Sequence, residues 1–151
     1  MSWLSASDLK RKIARNASPS TLYAFHGVFP LDKLPFAVPR YPYFMIVNTQ
    51  SHNLPGEHWI VIYIDHNRLG EIFDSLALPI AQPLIRWMNQ FTRSFTKSHL
   101  TYQHPLSSKC GAFALYFILH RLHDAHCMRK YFSSKLAMNE LYVTLYYKSL
   151  K

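Results

Sequence analysis

Two kinds of apolar pattern divide the chain. Tyr43-Phe44-Met45-Ile46-Val47 and Trp59-Ile60-Val61-Ile62-Tyr63-Ile64 run without a charged residue, as strands covered on both faces do. Glu71-Ile72-Phe73 makes a third, shorter strand. Asp65-His66-Asn67-Arg68-Leu69-Gly70 has hairpin-turn chemistry and joins it to the second. Helical spacing follows at Leu84, Trp87, Met88 and Phe91, with Pro83 in the first turn and Arg86 and Arg93 facing out. From Cys110 to Leu119 the residues are apolar enough for a buried helix ending near Leu122, with Ser107 or Ser108 as its N-cap. Met138, Leu141, Tyr142, Leu145 and Tyr146 recur at i, i+3, i+4, i+7 and i+8, which predicts an amphipathic helix.

The remaining stretches are less regular. Ser5 and Asp8 have capping-box spacing, with Leu4 and Leu9 placed as a hydrophobic staple, so a helix starts there. Leu9 and Ile13 share one face of it, and Lys10, Arg11, Lys12 and Arg15 make the other face basic. That basic face reads either as a solvated surface or as part of a phosphate-binding one. Between Pro19 and Pro42, prolines at 30, 35, 39 and 42 break any long element. Interleaved aromatics (Tyr23, Phe25, Phe29, Phe36, Tyr41) predict an irregular segment pinned to the core. Leu100-Thr101-Tyr102-Gln103 suits a short strand before Pro105.

Composition narrows the class. At 151 residues, 49% hydrophobic and 15% aromatic, the chain supports one domain with a real core and is not disordered. No apolar run reaches the roughly 18 residues of a membrane span, and the start of the chain lacks signal-peptide character, so an intracellular protein without a membrane partner is expected. Cys110 and Cys127 are two cysteines only. One continuous helix would hold them about 25 Å apart, too far for a disulfide. With 17 Lys+Arg against 8 Asp+Glu and a pI near 9.7, the surface favours polyanions, and nucleic acid would be bound without sequence preference.

Chemistry enters with Cys110. A free thiol is usually a buried core residue, but at a helix N-terminus the dipole favours its thiolate. A nucleophilic thiol needs a base, and the base an orienting acceptor. Among nine histidines, His58 stands at the mouth of a strand, rigid yet reachable. Asp74 ends the next strand, and the hairpin between them brings the two together, so the Asp can fix the imidazole's tautomer. Gln103, seven residues before the thiol, can donate to a developing oxyanion, with the helix N-terminal N–H of Cys110 as second donor. Each residue alone has a structural alternative; the order His, Asp, Gln, Cys at element boundaries is a joint pattern. His120, His123, His126 and Cys127 offer zinc-type ligands, but crowded on one short segment they read as a polar helix end, and no metal is expected.

Gly56-Glu57-His58-Trp59, Phe73-Asp74-Ser75 and Gln103 followed by Ser108-Lys109-Cys110-Gly111 resemble the adenain and ubiquitin-like-protease superfamily of cysteine endopeptidases. Ile46-Val47-Asn48-Thr49 ahead of Pro55-Gly56-Glu57-His58-Trp59 is most similar to its adenovirus-type maturation proteases, including relatives coded by Polinton or adintovirus elements. The resemblance spans about residues 43–120 and implies an α+β fold. In it a mixed, mostly antiparallel sheet packs on the helix that carries the nucleophile, with flanking helices. It implies Cys110 as nucleophile, His58 as general base and acid, Asp74 as its orienter, Gln103 as oxyanion donor and Trp59 as a wall of the substrate site. Viral precursor proteins are the implied substrates, DNA and an activating peptide the implied cofactors. A monomer working in the virion and the host nucleus, with the cytoplasm as alternative, is the implied setting.

Two departures matter. Adenovirus enzymes carry Glu where this chain has Asp74, and Asp74-Ser75-Leu76 resembles instead the branch that cleaves SUMO and ubiquitin conjugates. No cysteine precedes Cys110, so the disulfide by which adenovirus enzymes hold their activating peptide has no counterpart. Three readings follow: a viral maturation protease, a protease of ubiquitin-like conjugates, and a catalytically idle DNA-binding virion protein.

Overall fold

The computed structural model describes residues 4–49 and 58–151. Helix α1 spans Ala6–Asn16, α2 Pro19–Ala24, α3 Gln82–Phe91, α4 Cys110–Arg121, α5 Cys127–Tyr131 and α6 Leu136–Ser149. Strands are β1 Phe25–Pro30, β2 Tyr43–Asn48, β3 Trp59–Ile64, β4 Leu69–Phe73 and β5 Ser94–Lys97. The five strands lie side by side in chain order. The central pairs β2–β3 and β3–β4 are antiparallel, and β1 and β5 add in parallel at the two edges. The fold is therefore α+β with a mixed sheet, as expected. The residues ahead of His58, which include Pro55-Gly56-Glu57, lie outside the described ones.

Both sheet faces are covered, which is why the central strands are apolar without alternation. Phe44, Ile46, Trp59, Val61, Tyr63 and Phe73 face a core shared with α1, α4, α5 and α6. Tyr43, Met45, Val47, Ile60, Ile62 and Ile72 face α3. Helix α4 sits deepest: every residue from Cys110 to Ile118 is buried. Phe117 stacks on Phe73 at 4.6 Å between ring centroids, fixing the helix over β4.

Local signals explain most elements. Ser5 caps α1: its hydroxyl accepts from Asp8 N–H at 3.1 Å, and the Asp8 carboxylate accepts from Ser5 N–H at 2.9 Å. Asp65 Oδ1 accepts from the N–H groups of Asn67 and Leu69, closing the hairpin between β3 and β4. Pro83 lies in the first turn of α3.

Four expectations are corrected. The segment after Pro19 is not irregular throughout: Ser18 caps α2, accepting from Thr21 N–H at 3.2 Å. β1 then pairs with β2. The strand expected at Leu100–Gln103 is absent, and the edge strand is Ser94–Lys97 instead. Neither Ser107 nor Ser108 caps α4; Lys109 occupies that position, and the Ser107 hydroxyl accepts from Lys109 N–H one step earlier. Finally, α6 exists, but Met138, Leu141 and Leu145 are more than half exposed, while Asn139 and Val143 are buried. The Asn139 side chain sets this orientation by bonding Tyr102 O, Ser133 O and Ser133 N–H. A buried amide without those partners would be left unsatisfied, at a cost of about 1–3 kcal/mol.

Candidate active site

In the β3–β4 ladder Val61 faces Phe73. Extending that register by one residue on β4 sets Asp74 opposite Ile60, and His58 becomes its diagonal neighbour on the same side of the sheet. The two side chains meet: His58 Nε2 is 2.8 Å from Asp74 Oδ1, and both residues are buried. Asp74 is itself fixed by the turn it begins. Oδ1 also accepts from Leu76 N–H at 2.8 Å, and Oδ2 accepts from Leu78 N–H at 3.1 Å. Ser98 Oγ receives the Asp74 N–H at 2.9 Å.

His58 also hydrogen-bonds the side chain of Cys110. With Nε2 committed to Asp74, Nδ1 is the nitrogen left for sulfur. His58 immediately precedes β3, at the end of the sheet where β4 finishes. It links a carboxylate on the α3 side to a thiol at the start of α4 on the other. Burial disfavours the imidazolium, but hydrogen bonds to Asp74 and Cys110, and their negative charges, outweigh it and raise its pKa to about 9. The proton thus stays on the ring at neutral pH.

Gln103 is buried at 1% exposure. Its Nε2 donates to Ser107 O at 2.9 Å, and its Oε1 accepts from Ser75 Oγ at 2.5 Å. The Gln103 and Tyr102 N–H groups both bond Ser75 O. The loop from 102 to 109 is held from the other side by α6. Asn139 bonds Tyr102 O, Glu140 Oε1 accepts from His104 N–H at 3.0 Å, and Lys109 Nζ bonds Thr144 Oγ1. These bracing residues were not singled out for this role by their sequence. Their one signal is the polar set Asn139, Glu140 and Thr144 within the mostly apolar first ten residues of α6.

The other sequence candidates are placed elsewhere. Trp59 is 2% exposed, its indole N–H donates to Leu4 O at 3.0 Å, and its ring packs beside Gly111, the residue after Cys110. Arg11 pairs with Asp8 at 2.7 Å, and Lys12 reaches Lys151 O and covers the Tyr147 ring, while Lys10 and Arg15 are exposed on α1. His120 Nδ1 bonds Tyr116 O, and His123 contacts Ser18. No group of three His, Cys, Asp or Glu among the described residues could hold a metal. Both cysteines are free, and burial pushes the Cys127 thiol up to about 11. Among the described residues no helix is long and apolar enough to cross a membrane. An apolar cavity of about 230 Å³ opens beside His58 and Asp74, lined on the α3 side by Leu78, Pro79, Ile80 and Leu84.

Thiol, imidazole and carboxylate in this order of contact, on an α+β fold with the thiol opening a buried helix, form the arrangement of a cysteine protease. Comparison with known proteins points the same way. The sequence is 28% identical over 109 residues to a cysteine protease of African swine fever virus from a tick isolate. It is 28% identical over the same length to the SUMO-1 cysteine protease of a pig isolate. Each alignment covers 64% of this chain and 40% of the viral protein, so the chain spans about two fifths of the length of these relatives. The crystal structure of the African swine fever virus protease has the same fold, with a TM-score of 0.50 and 20% identity over 67% of this chain and 42% of that one. No protein-family model matches the sequence.

Proposed function

We propose that the chain is a cysteine endopeptidase of the ubiquitin-like-protease type, acting on viral precursor proteins during particle maturation. The observation that carries this reading is the single ring of His58 bonded to both Asp74 and Cys110. The Cys110 thiolate attacks a substrate carbonyl, and Gln103 with the N-terminal backbone of α4 takes the oxyanion. His58 gives its proton to the leaving amine, and water it then activates releases the acyl-enzyme. Asp74 holds the ring in the tautomer that presents Nδ1 to sulfur.

The similarity to a cysteine protease of African swine fever virus supports a viral substrate. The formal net charge of +9 supports DNA as an accessory cofactor, with Lys10 and Arg15 as exposed cations on α1. An activating peptide, monomeric action and work in the virion and host nucleus belong to the same proposal. A second reading, cleavage of ubiquitin-like conjugates, draws on the SUMO-1 cysteine protease among the similar proteins and on Asp rather than Glu at position 74.

The test incubates the protein with capsid-type precursors, Gly-containing peptides and SUMO-1 and ubiquitin fusions, with and without duplex DNA, and maps new termini. Cleavage lost in Cys110→Ala and His58→Ala is expected. Undiminished cleavage by Cys110→Ala would sink the proposal, and cleavage of the fusions alone would select the second reading.

A further inference from the structure

A glutamine that serves an oxyanion must offer its nitrogen, yet its amide has two nearly isosteric orientations. Around Gln103 the choice is made by two partners. Ser107 O, an acceptor only, lies 2.9 Å from Nε2 and consumes one amide hydrogen. Ser75 Oγ lies 2.5 Å from Oε1, which has only lone pairs, so the hydroxyl donates. Ser75 is 2% exposed and Gln103 1%, so neither contact is exchanged for bulk water. The same serine grips the glutamine by the backbone, since Ser75 O accepts Gln103 N–H at 3.1 Å and Tyr102 N–H at 2.9 Å. The nitrogen's second hydrogen remains for substrate. Ser75 directly follows Asp74, so one dipeptide at the end of β4 orients both the imidazole and the amide.

We infer that Ser75 is a positioning residue of the oxyanion hole: its hydroxyl locks the Gln103 amide so that Nε2 faces the developing oxyanion. The inference rests on the protease reading and assigns a role to a residue that touches no reacting atom. Removing the hydroxyl leaves Oε1 buried without a donor, and the amide turns toward water. Nε2 moves with it. A displacement of about an ångström at a catalytic group costs up to roughly 10²-fold in rate.

The experiment compares wild type, Ser75→Ala, Gln103→Ala and the double variant on a fluorogenic Gly-Gly peptide. For Ser75→Ala, kcat should fall about tenfold or more with KM little changed. Alkylation of Cys110 by iodoacetamide, which forms no oxyanion, should proceed at the wild-type rate. In the Gln103→Ala background, Ser75→Ala should cost nothing further. Equal kcat in Ser75→Ala, or the same loss in both backgrounds, overturns the inference. NMR of the Gln103 side-chain amide tests it independently of any cleavage. Its hydrogens should be protected from solvent exchange in wild type and lose protection in Ser75→Ala; unchanged protection overturns the inference too. A wild type that cleaves nothing, and whose Cys110 ignores a peptide aldehyde, counts instead against the protease reading.

Discussion

His58 Nε2 and Asp74 Oδ1 are 2.8 Å apart, with side chains only 7% and 11% exposed. This contact makes stability depend on pH. The His58 pKa rises from an ordinary 6.5 to about 9 in the folded protein. A raised pKa contributes stability that is fully present below pH 6.5 and is lost as pH climbs through 9. Asp74→Asn removes the carboxylate and much of that contribution. Urea unfolding should therefore show wild type and Asp74→Asn furthest apart near pH 6 and closer together near pH 10. A gap that widens with pH would contradict the ion-pair account.

Asp74→Asn should also be milder in catalysis than His58→Ala. The Asn oxygen can still accept from His58 Nε2 and Leu76 N–H, as Asp74 Oδ1 does. Its NH₂ group, however, would face Leu78 N–H, donor against donor, where Oδ2 now accepts. A reduced kcat with residual activity is expected for Asp74→Asn, against complete loss for His58→Ala and a fall of about 10²-fold or more for Gln103→Ala. Peptide-cleavage kinetics of the three variants rank them; an Asp74→Asn as dead as His58→Ala would mean the carboxylate does more than orient.

Thiol chemistry should separate the two cysteines. Burial pushes Cys127 up to about 11, so it stays a neutral thiol at pH 7.5, and only thiolates alkylate readily. Cys110 sits against a protonated imidazole. Brief iodoacetamide treatment at pH 7.5 followed by mass spectrometry should find one label, on Cys110. His58→Ala should slow that labelling, and a first label on Cys127 would reverse the assignment.

The site was more legible than its surroundings. Two apolar runs and the Asp65–Gly70 turn were enough to place His58 and Asp74 side by side, because a hairpin leaves little freedom in which ends meet. Cys110 was legible because an apolar run starts there. What escaped was set by single polar contacts or by edges. β5 is Ser94-Phe95-Thr96-Lys97, an edge strand with polar residues and no apolar run to announce it. β1 contains Gly27 and ends in Pro30, residues that argue against a strand unless it is an edge. The outward turn of Met138, Leu141 and Leu145 accompanies the inward turn of Asn139, whose side chain makes three bonds that no apolar period announces. Ser75 acts on Gln103 from 28 residues away, and no spacing rule connects the two positions.

Gly70 offers a test that separates fold from site. A methyl group added there would lie 2.6 Å from Met88 Cε, 2.9 Å from Thr92 Cγ2 and 3.0 Å from Phe95 Cβ. The methionine tip can move, but Phe95 is the direct partner of Gly70 in the β4–β5 pairing and Thr92 is tied to Met88 O through its hydroxyl at 2.6 Å. Alanine would reduce the entropy of the unfolded chain by somewhat under about 1 kcal/mol in favour of folding. Overpacking of this kind costs about 1–3 kcal/mol, so the clash should win. Gly70→Ala is expected to lower the urea midpoint at unchanged m-value. Gly70 lies at the end of β4 remote from Phe73 and Asp74. Folded Gly70→Ala should therefore alkylate Cys110 at the wild-type rate, whereas slower alkylation at full folding would show that α3 packing reaches the dyad.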